Sequence, residues 1–201
     1  MIRLVTLLIC IFAFTNNIKA QDSTISISYQ TSKDKFVQQL MDFQKIYGFD
    51  VVISGKSLKG KNYQLWMVRN QNGEEKRKKV DSEVQCIFND TLQHFYYFAQ
   101  SQINDSVKIA CNHSVGEEET IYMPDSKHCI LMETILSKVP DTSKSIPLIA
   151  YTNGYEQKLN YNGEELNGIS YCAIRNAKIH PSEWYKKFNL KNYIYFELIF
   201  K

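Results

Sequence analysis

The sequence predicts an α+β fold. It is β-rich, a mainly antiparallel hairpin-built sheet or sandwich with an N-terminal amphipathic helix and one or two shorter helices. Three observations lead there. Asn-Gly occurs four times and uses half of the eight glycines; this dipeptide favours two-residue hairpin turns in which both central residues need positive φ. Short segments such as Thr24-Ile25-Ser26-Ile27-Ser28-Tyr29 and the last strand, with Ile194, Phe196, Leu198 and Phe200, place apolar residues at every second position. One segment alone, Lys33 to Tyr47, carries a clear helical stripe: Phe36, Leu40, Phe43 and Tyr47, widened by Val37 and Met41.

Taken in order, the chain opens with Arg3 and the apolar run Leu4 to Phe14, followed by Asn16, Asn17 and small Ala20. Charge, apolar run and small residue in that order read as a signal peptide over 1–20, leaving one globular domain over 21–201 and an exported protein of the periplasm or cell surface. Bulky Ile9 before Cys10 disfavours a lipid-anchored reading. Loss of Arg3 and Lys19 takes the formal charge from +3 to near neutral. That balance gives no electrostatic reason for a nucleic-acid partner, and no membrane span is expected after the signal.

The first strand is expected at 24–29, with Thr31 or Ser32 capping the helix and Gly48 stopping it. Strands follow at Phe49–Ser54 and Tyr63–Arg69. The run Lys76-Arg77-Lys78-Lys79 reads as an exposed edge or loop, since charge protects a strand edge from pairing. Residues 92–101 and the alternating Val107-Lys108-Ile109 form a hairpin around Ile103-Asn104-Asp105-Ser106. Asp125 or Ser126 is expected to cap a helix through Ser137. A loop at Asn153-Gly154 pairs strands 146–152 and 155–161, and a loop at Asn162-Gly163 sets Leu166 opposite Leu159. Leu148, Leu159 and Leu166 then share one face of a sheet that is wet on the other. His180-Pro181 starts a short helix with Pro at its first position.

The opening strand–helix–strand with Leu58-Lys59-Gly60-Lys61 resembles half of the short N-terminal domain of secretins and TonB-dependent receptors over residues 24–66. Asp22-Ser23-Thr24, Asp90-Thr91-Leu92 and Asp105-Ser106-Val107 are similar to the O-glycosylation triplets of exported Bacteroidetes proteins. With the Ala20-Gln21 junction they give the chain the look of that group, and they imply no activity.

Chemistry is sparse. Cys86, Cys111, Cys129 and Cys172 are an even set in an exported chain, so at least one disulfide is expected, Cys111–Cys129 closing the loop of Glu117, Glu118 and Glu119 being one option. Cys111, His113, His128 and Cys129 match no usual zinc spacing, and adjacent residues diverge, so no metal is assigned. A Cys–His nucleophile from the same residues lacks an orienting third group. Ser54-Gly55-Lys56-Ser57 ends like a phosphate-binding loop, but Asp50 stands where its first glycine belongs. Glu164-Glu165 and Glu117–Glu119 read as solvated turns rather than the spaced carboxylates of a glycosidase. No catalytic residue and no cofactor is assigned. The Tyr surplus is the binding hint: Tyr151, Tyr155, Trp184, Tyr193 and Tyr195 could stack on a ligand, although cross-strand packing is the more common use of such rings. The expected function is an exported non-catalytic binding or cell-envelope structural protein, its partner unknown, a glycan or envelope protein among the options. A small envelope hydrolase using Cys/His or carboxylate chemistry is the alternative.

Overall fold

The computed structural model describes residues 25–80, 86–112, 116–124, 128–134 and 140–201. The expected signal peptide, His113, Asp125 and Ser126 lie outside them. The first sheet has the order β1 (Ser26–Gln30), β2 (Ile46–Ser54), β6 (Leu92–Gln102), β7 (Ser106–Asn112) and β8 (Gly116–Tyr122). The second has β4 (Glu74–Lys79), β3 (Asn62–Gln71), β13 (Asn192–Phe200), β10 (Ile146–Thr152) and β9 (Ile130–Glu133), with β5 (Cys86–Ile87) also paired to β3. A separate two-stranded ribbon joins β11 (Tyr155–Tyr161) to β12 (Glu164–Ser170). Every described strand pair is antiparallel. The β-rich α+β class and its hairpin construction are therefore observed.

The two large sheets pack face to face. Val51, Phe95, Tyr97 and Ile109 of the first meet Leu65, Leu148, Phe196 and Leu198 of the second in one core. A second core lies on the opposite face of the second sheet. There Val68, Ala150, Tyr193 and Tyr195 are covered by Ile174 of α2 (Tyr171–Ala177), Trp184 of α3 (Trp184–Phe188) and Leu190. The second sheet is thus apolar on both faces, which is why all seven residues of β10 are buried. A strand covered on both sides reads as a continuous apolar run rather than an alternation.

That double burial corrects one pairing. The bounds expected for 146–152 and 155–161 are those observed, but the strands do not pair. β10 lies between β13 and β9, with Thr152 opposite Tyr193 and Ile130. Asn153-Gly154 carries the chain out of the sheet into the ribbon. Gly154 (φ +80) sits where a Cβ would come within 2.6 Å of Ile169 and 2.8 Å of Tyr171. Leu148 therefore shares no face with the ribbon. The ribbon itself has the expected register, Leu159 opposite Leu166 across Asn162-Gly163. Its root packs on Tyr171 and on Phe188, whose ring centroid is 5.5 Å from that of Tyr155. Beyond the root, Leu166 is exposed.

Two helix expectations also change. The first helix, α1, spans only Lys35–Phe43, capped by Asp34, whose carboxylate accepts from the Phe36 and Val37 amides at 2.8 and 3.2 Å. Ser32 supports this cap through the Asp34 amide. The stop comes at Lys45 (φ 53), not Gly48. Gly48 lies inside β2, where a Cβ would meet the Met41 side chain at 2.5 Å and the Phe98 ring at 3.0 Å. Met41 thus packs α1 against the sheet, while Phe36, Leu40 and Phe43 remain 73%, 50% and 81% exposed. β1 and β2, which flank α1, pair antiparallel. Second, residues 130–133, placed in a helix by the sequence, form strand β9 at the sheet edge. Ile130, Leu131 and Met132 are apolar in succession because both faces of this sheet are covered.

Three further local expectations hold. β6 and β7 form the hairpin around 103–105, with Asn104 and Asp105 at positive φ. His180 caps a 3-10 turn (Pro181–Glu183) that runs into α3. The basic run is edge strand β4. Its Lys78 reaches Glu119 on β8, the edge of the first sheet, at 2.7 Å.

The turns give a paired prediction. Gly73 and Gly163 both have φ +90, but a Cβ at Gly73 meets the Tyr185 ring at 2.6 Å, whereas Gly163 has nothing within 4 Å. Gly73→Ala should cost about 1–2 kcal/mol in the global denaturant transition, from left-handed backbone strain plus displacement of Tyr185. Gly163→Ala should leave that transition nearly unmoved, since the ribbon opens independently of the two cores. Equal losses in the two variants would refute this reading.

Candidate functional site

Among the described residues the four cysteines, Cys86, Cys111, Cys129 and Cys172, are thiols; no disulfide joins any two of them. Cys86, Cys111 and Cys129 are buried in the core between the sheets, while Cys172 is exposed on α2. The expected bridge, including Cys111–Cys129, is absent. Cys86 of β5, Cys111 of β7 and Cys129, just before β9, serve as small apolar side chains. Among the described residues no group of three His, Cys, Asp or Glu converges as a metal site. His128 instead offers its backbone carbonyl to the Tyr171 hydroxyl.

The candidate stacking residues are brought together, but inside the protein. Tyr151, Trp184, Tyr193 and Tyr195 are at most 2% exposed. Tyr151 belongs to the inter-sheet core and the other three to the outer one, which Tyr155 flanks. Trp184 lies 5.5 Å from Tyr193, and Tyr193 lies 6.2 Å from Tyr195. Their polar ends are used locally: Trp184 Nε1 donates to the Ile179 carbonyl and the Tyr193 hydroxyl to that of Pro181. Burial raises the phenols of Tyr193 and Tyr195, the latter also beside Glu75 and Glu197. With no exposed ring face, these four side chains pack the protein rather than a ligand.

A polar cluster not singled out by the sequence lies beside these rings. Glu197 is buried on β13 and pairs with Arg77 of β4, whose guanidinium also lies 5.4 Å from the Trp66 ring centre. His180 Nε2 is 3.8 Å from Glu197 and 3.4 Å from the Ser145 hydroxyl. This looks like half of a nucleophilic triad, but the tautomer is wrong. His180 Nδ1 accepts the Ser182 amide at 3.2 Å as the cap of the 3-10 turn. The neutral ring therefore carries its proton on Nε2 and presents a donor to Ser145, where a general base needs a lone pair. A sequence signal for this cluster existed: Glu197 is the one charge within the apolar run from Tyr193 to Phe200, and a carboxylate there has to be paired.

On the outer face of the first sheet, His94 Nδ1 meets Asp50 at 2.8 Å and the ring stacks on Tyr96 at 5.8 Å. Its Nε2 meets no hydroxyl or thiol among the described residues.

A further candidate is an open cleft of about 210 Å³ at the β3–β4 end, lined by Arg69, Gln71, Asn72, Glu74 and Lys76. The Asn72-Gly73 turn (φ 52 and 90) creates it by pairing Gln71 with Glu74 and Arg69 with Lys76. These four side chains alternate onto one face, past the end of the inter-sheet core. Arg69 is fixed by two bonds from Nη2, one to the Tyr122 carbonyl and one to Gln71 Oε1 at 3.2 Å. Lys76 has no partner among the described residues. A two-residue loop at Asn72-Gly73 already implies Arg69 opposite Lys76; sequence reasoning stopped at the basic run and missed its partner across the turn.

Two predictions follow from these placements. Brief alkylation of native protein should modify Cys172 and spare Cys86, Cys111 and Cys129; unfolding without reductant should expose all four, as read by peptide mass spectrometry. Any pair that needs reductant would revive the disulfide. For His180, burial lowers the pKa, with Glu197 opposing. The folded state thus resists protonation more than the unfolded chain, whose imidazole titrates at about 6.5. His180 stability is present above that pH and is lost as pH falls toward the depressed folded value. His180→Asn keeps a capping acceptor but does not titrate, so its denaturation midpoint should fall less than the wild-type midpoint between pH 7.5 and 5. Parallel declines would contradict the assignment.

No family model, curated protein or solved structure matches this chain.

Proposed function

We propose that this is an exported, non-catalytic binding protein or structural component of the cell envelope. Export rests on Arg3, the apolar run Leu4 to Phe14 and the small residue Ala20. The observation that carries the binding reading is the lining of the β3–β4 cleft. It offers two cations, two amides and one carboxylate, with no hydroxyl or thiol nucleophile and no imidazole among its five residues. Glycosidase chemistry needs two carboxyl groups across the bond to be cleaved, and Glu74 is one. Such a lining offers charged and hydrogen-bonding groups for recognition, and holds one of the two carboxyl groups that glycosidase chemistry requires.

The experiment is to incubate the purified protein with glycan and peptide arrays, and in parallel with envelope polysaccharide and peptide polymers. Retention of a ligand with no release of reducing ends or new amino termini is the expected result. Steady product release from any polymer, abolished by one substitution, would overturn the non-catalytic reading.

A further inference from the structure

We infer that the β3–β4 cleft is a binding site for a hydroxylated carboxylate of the acidic-sugar class, such as a uronic acid residue. The inference rests on the binding reading above and gives it a ligand.

The cleft contains an electrostatic mismatch. Arg69 and Lys76 stand directly opposite each other on one face of a two-stranded edge. Like charges in that position destabilise a strand pair. The protein does not neutralise them as it does the next residue along the same face, where Lys78 is paired with Glu119 at 2.7 Å. Arg69 is also held in place. Its Nη2 spends both hydrogens on the Tyr122 carbonyl and Gln71, leaving the donors on Nε and Nη1 without partners among the described residues. With both Nη2 hydrogens used, Arg69 offers single charged donors at Nε and Nη1, and together with the ammonium of Lys76 across the strand pair they give an anion charge-assisted hydrogen bonds.

The rest of the lining selects within the anions. Glu74, Gln71 and Asn72 bring acceptor oxygens to the same cleft. Inorganic phosphate brings one or two hydroxyls near neutral pH, but its doubly charged form meets Glu74 unfavourably. A singly charged ligand bearing hydroxyls satisfies both halves of the lining. All five residues are polar, so there is no apolar recess for the side chain of a peptide terminus. At about 210 Å³ the cleft is below the roughly 300–1,000 Å³ of drug-sized sites, which fits one ring or the end of a chain.

The test is a titration of the purified protein followed by backbone amide NMR, with glucuronate as probe. Glucose, acetate, inorganic phosphate and a Gly-Ala dipeptide are the comparison ligands. Glucuronate should shift the amides of residues 69–76 and bind more tightly than each of the four, with affinity falling as salt rises. Lys76→Gln removes an exposed side chain with no described partner, so it should fold normally and bind glucuronate at least about tenfold more weakly. Lys56→Gln, in the loop after β2, should bind as wild type does. Equal affinity for acetate or phosphate would reduce the site to a general anion site and overturn the sugar assignment. Equal affinity for glucose, tighter binding of the dipeptide, an unaffected Lys76→Gln variant or no shift at all would also overturn it. Turnover of a uronate polymer alongside Lys76-dependent binding would defeat the non-catalytic reading and leave the cleft assignment standing.

Discussion

Burial of the second sheet on both faces is the constraint from which most of this structure follows. β13 is its central strand, and its two faces do different work. Ile194, Phe196 and Leu198 point into the inter-sheet core, while Tyr193 and Tyr195 point into the core beneath α3. A strand covered on both sides cannot discard a polar residue into water. Glu197 therefore has to be met where it lies, and Arg77 reaches it from the edge strand. Taking one partner from such a pair leaves an uncompensated charge, so the edge and the centre of the sheet are coupled. The cap formed by His180 is part of the same arrangement, because its ring closes over Tyr195 at 5.8 Å, edge to face.

The same constraint explains which parts of the fold were legible in the sequence. Local signals read correctly where structure is local. The Asn162-Gly163 ribbon, the β6–β7 hairpin and the His180-Pro181 start follow from turn chemistry and alternation. Asn153-Gly154 misled because a dipeptide specifies what the backbone can do over two residues, not which strand lies alongside. β10 meets its partners β9 and β13 across separations that no turn rule reaches. Ile130 to Met132 misled for a related reason, since successive apolar residues fit a buried helix and a doubly covered strand equally well. The stripe of Phe36, Leu40 and Phe43 announced an amphipathic helix, and a helix is there. Periodicity carries no information about whether a neighbour exists to cover that stripe.

The functional reading had a similar boundary. Aromatic surplus and paired cysteines are compositional signals, and composition does not distinguish a ring in a core from a ring on a surface. Tyr151 and Tyr193 are fully buried, and the cysteines serve as small apolar groups or, for Cys172, as an exposed thiol. The residues that stand out physically are those whose surroundings are mismatched. Glu197 is a lone charge in an apolar strand, and Arg69 and Lys76 are cations facing each other. The first mismatch is visible in the sequence of β13 itself, and the second once register is known, which for Arg69 and Lys76 one tight turn supplies.

The ribbon of β11 and β12 has a consequence of a different kind. It is held at its root, where Gly154, Ile169 and Tyr171 meet and Tyr155 lies against Phe188. Past that point both strands leave the body, and neither core depends on how far they extend. Because side chains alternate with a period of two, residues added or removed in matched pairs, one dipeptide on each strand, keep every remaining side chain on its own face. Descendants of this chain can therefore vary the arm's reach, or replace its tip, while the two cores stay under unchanged selection.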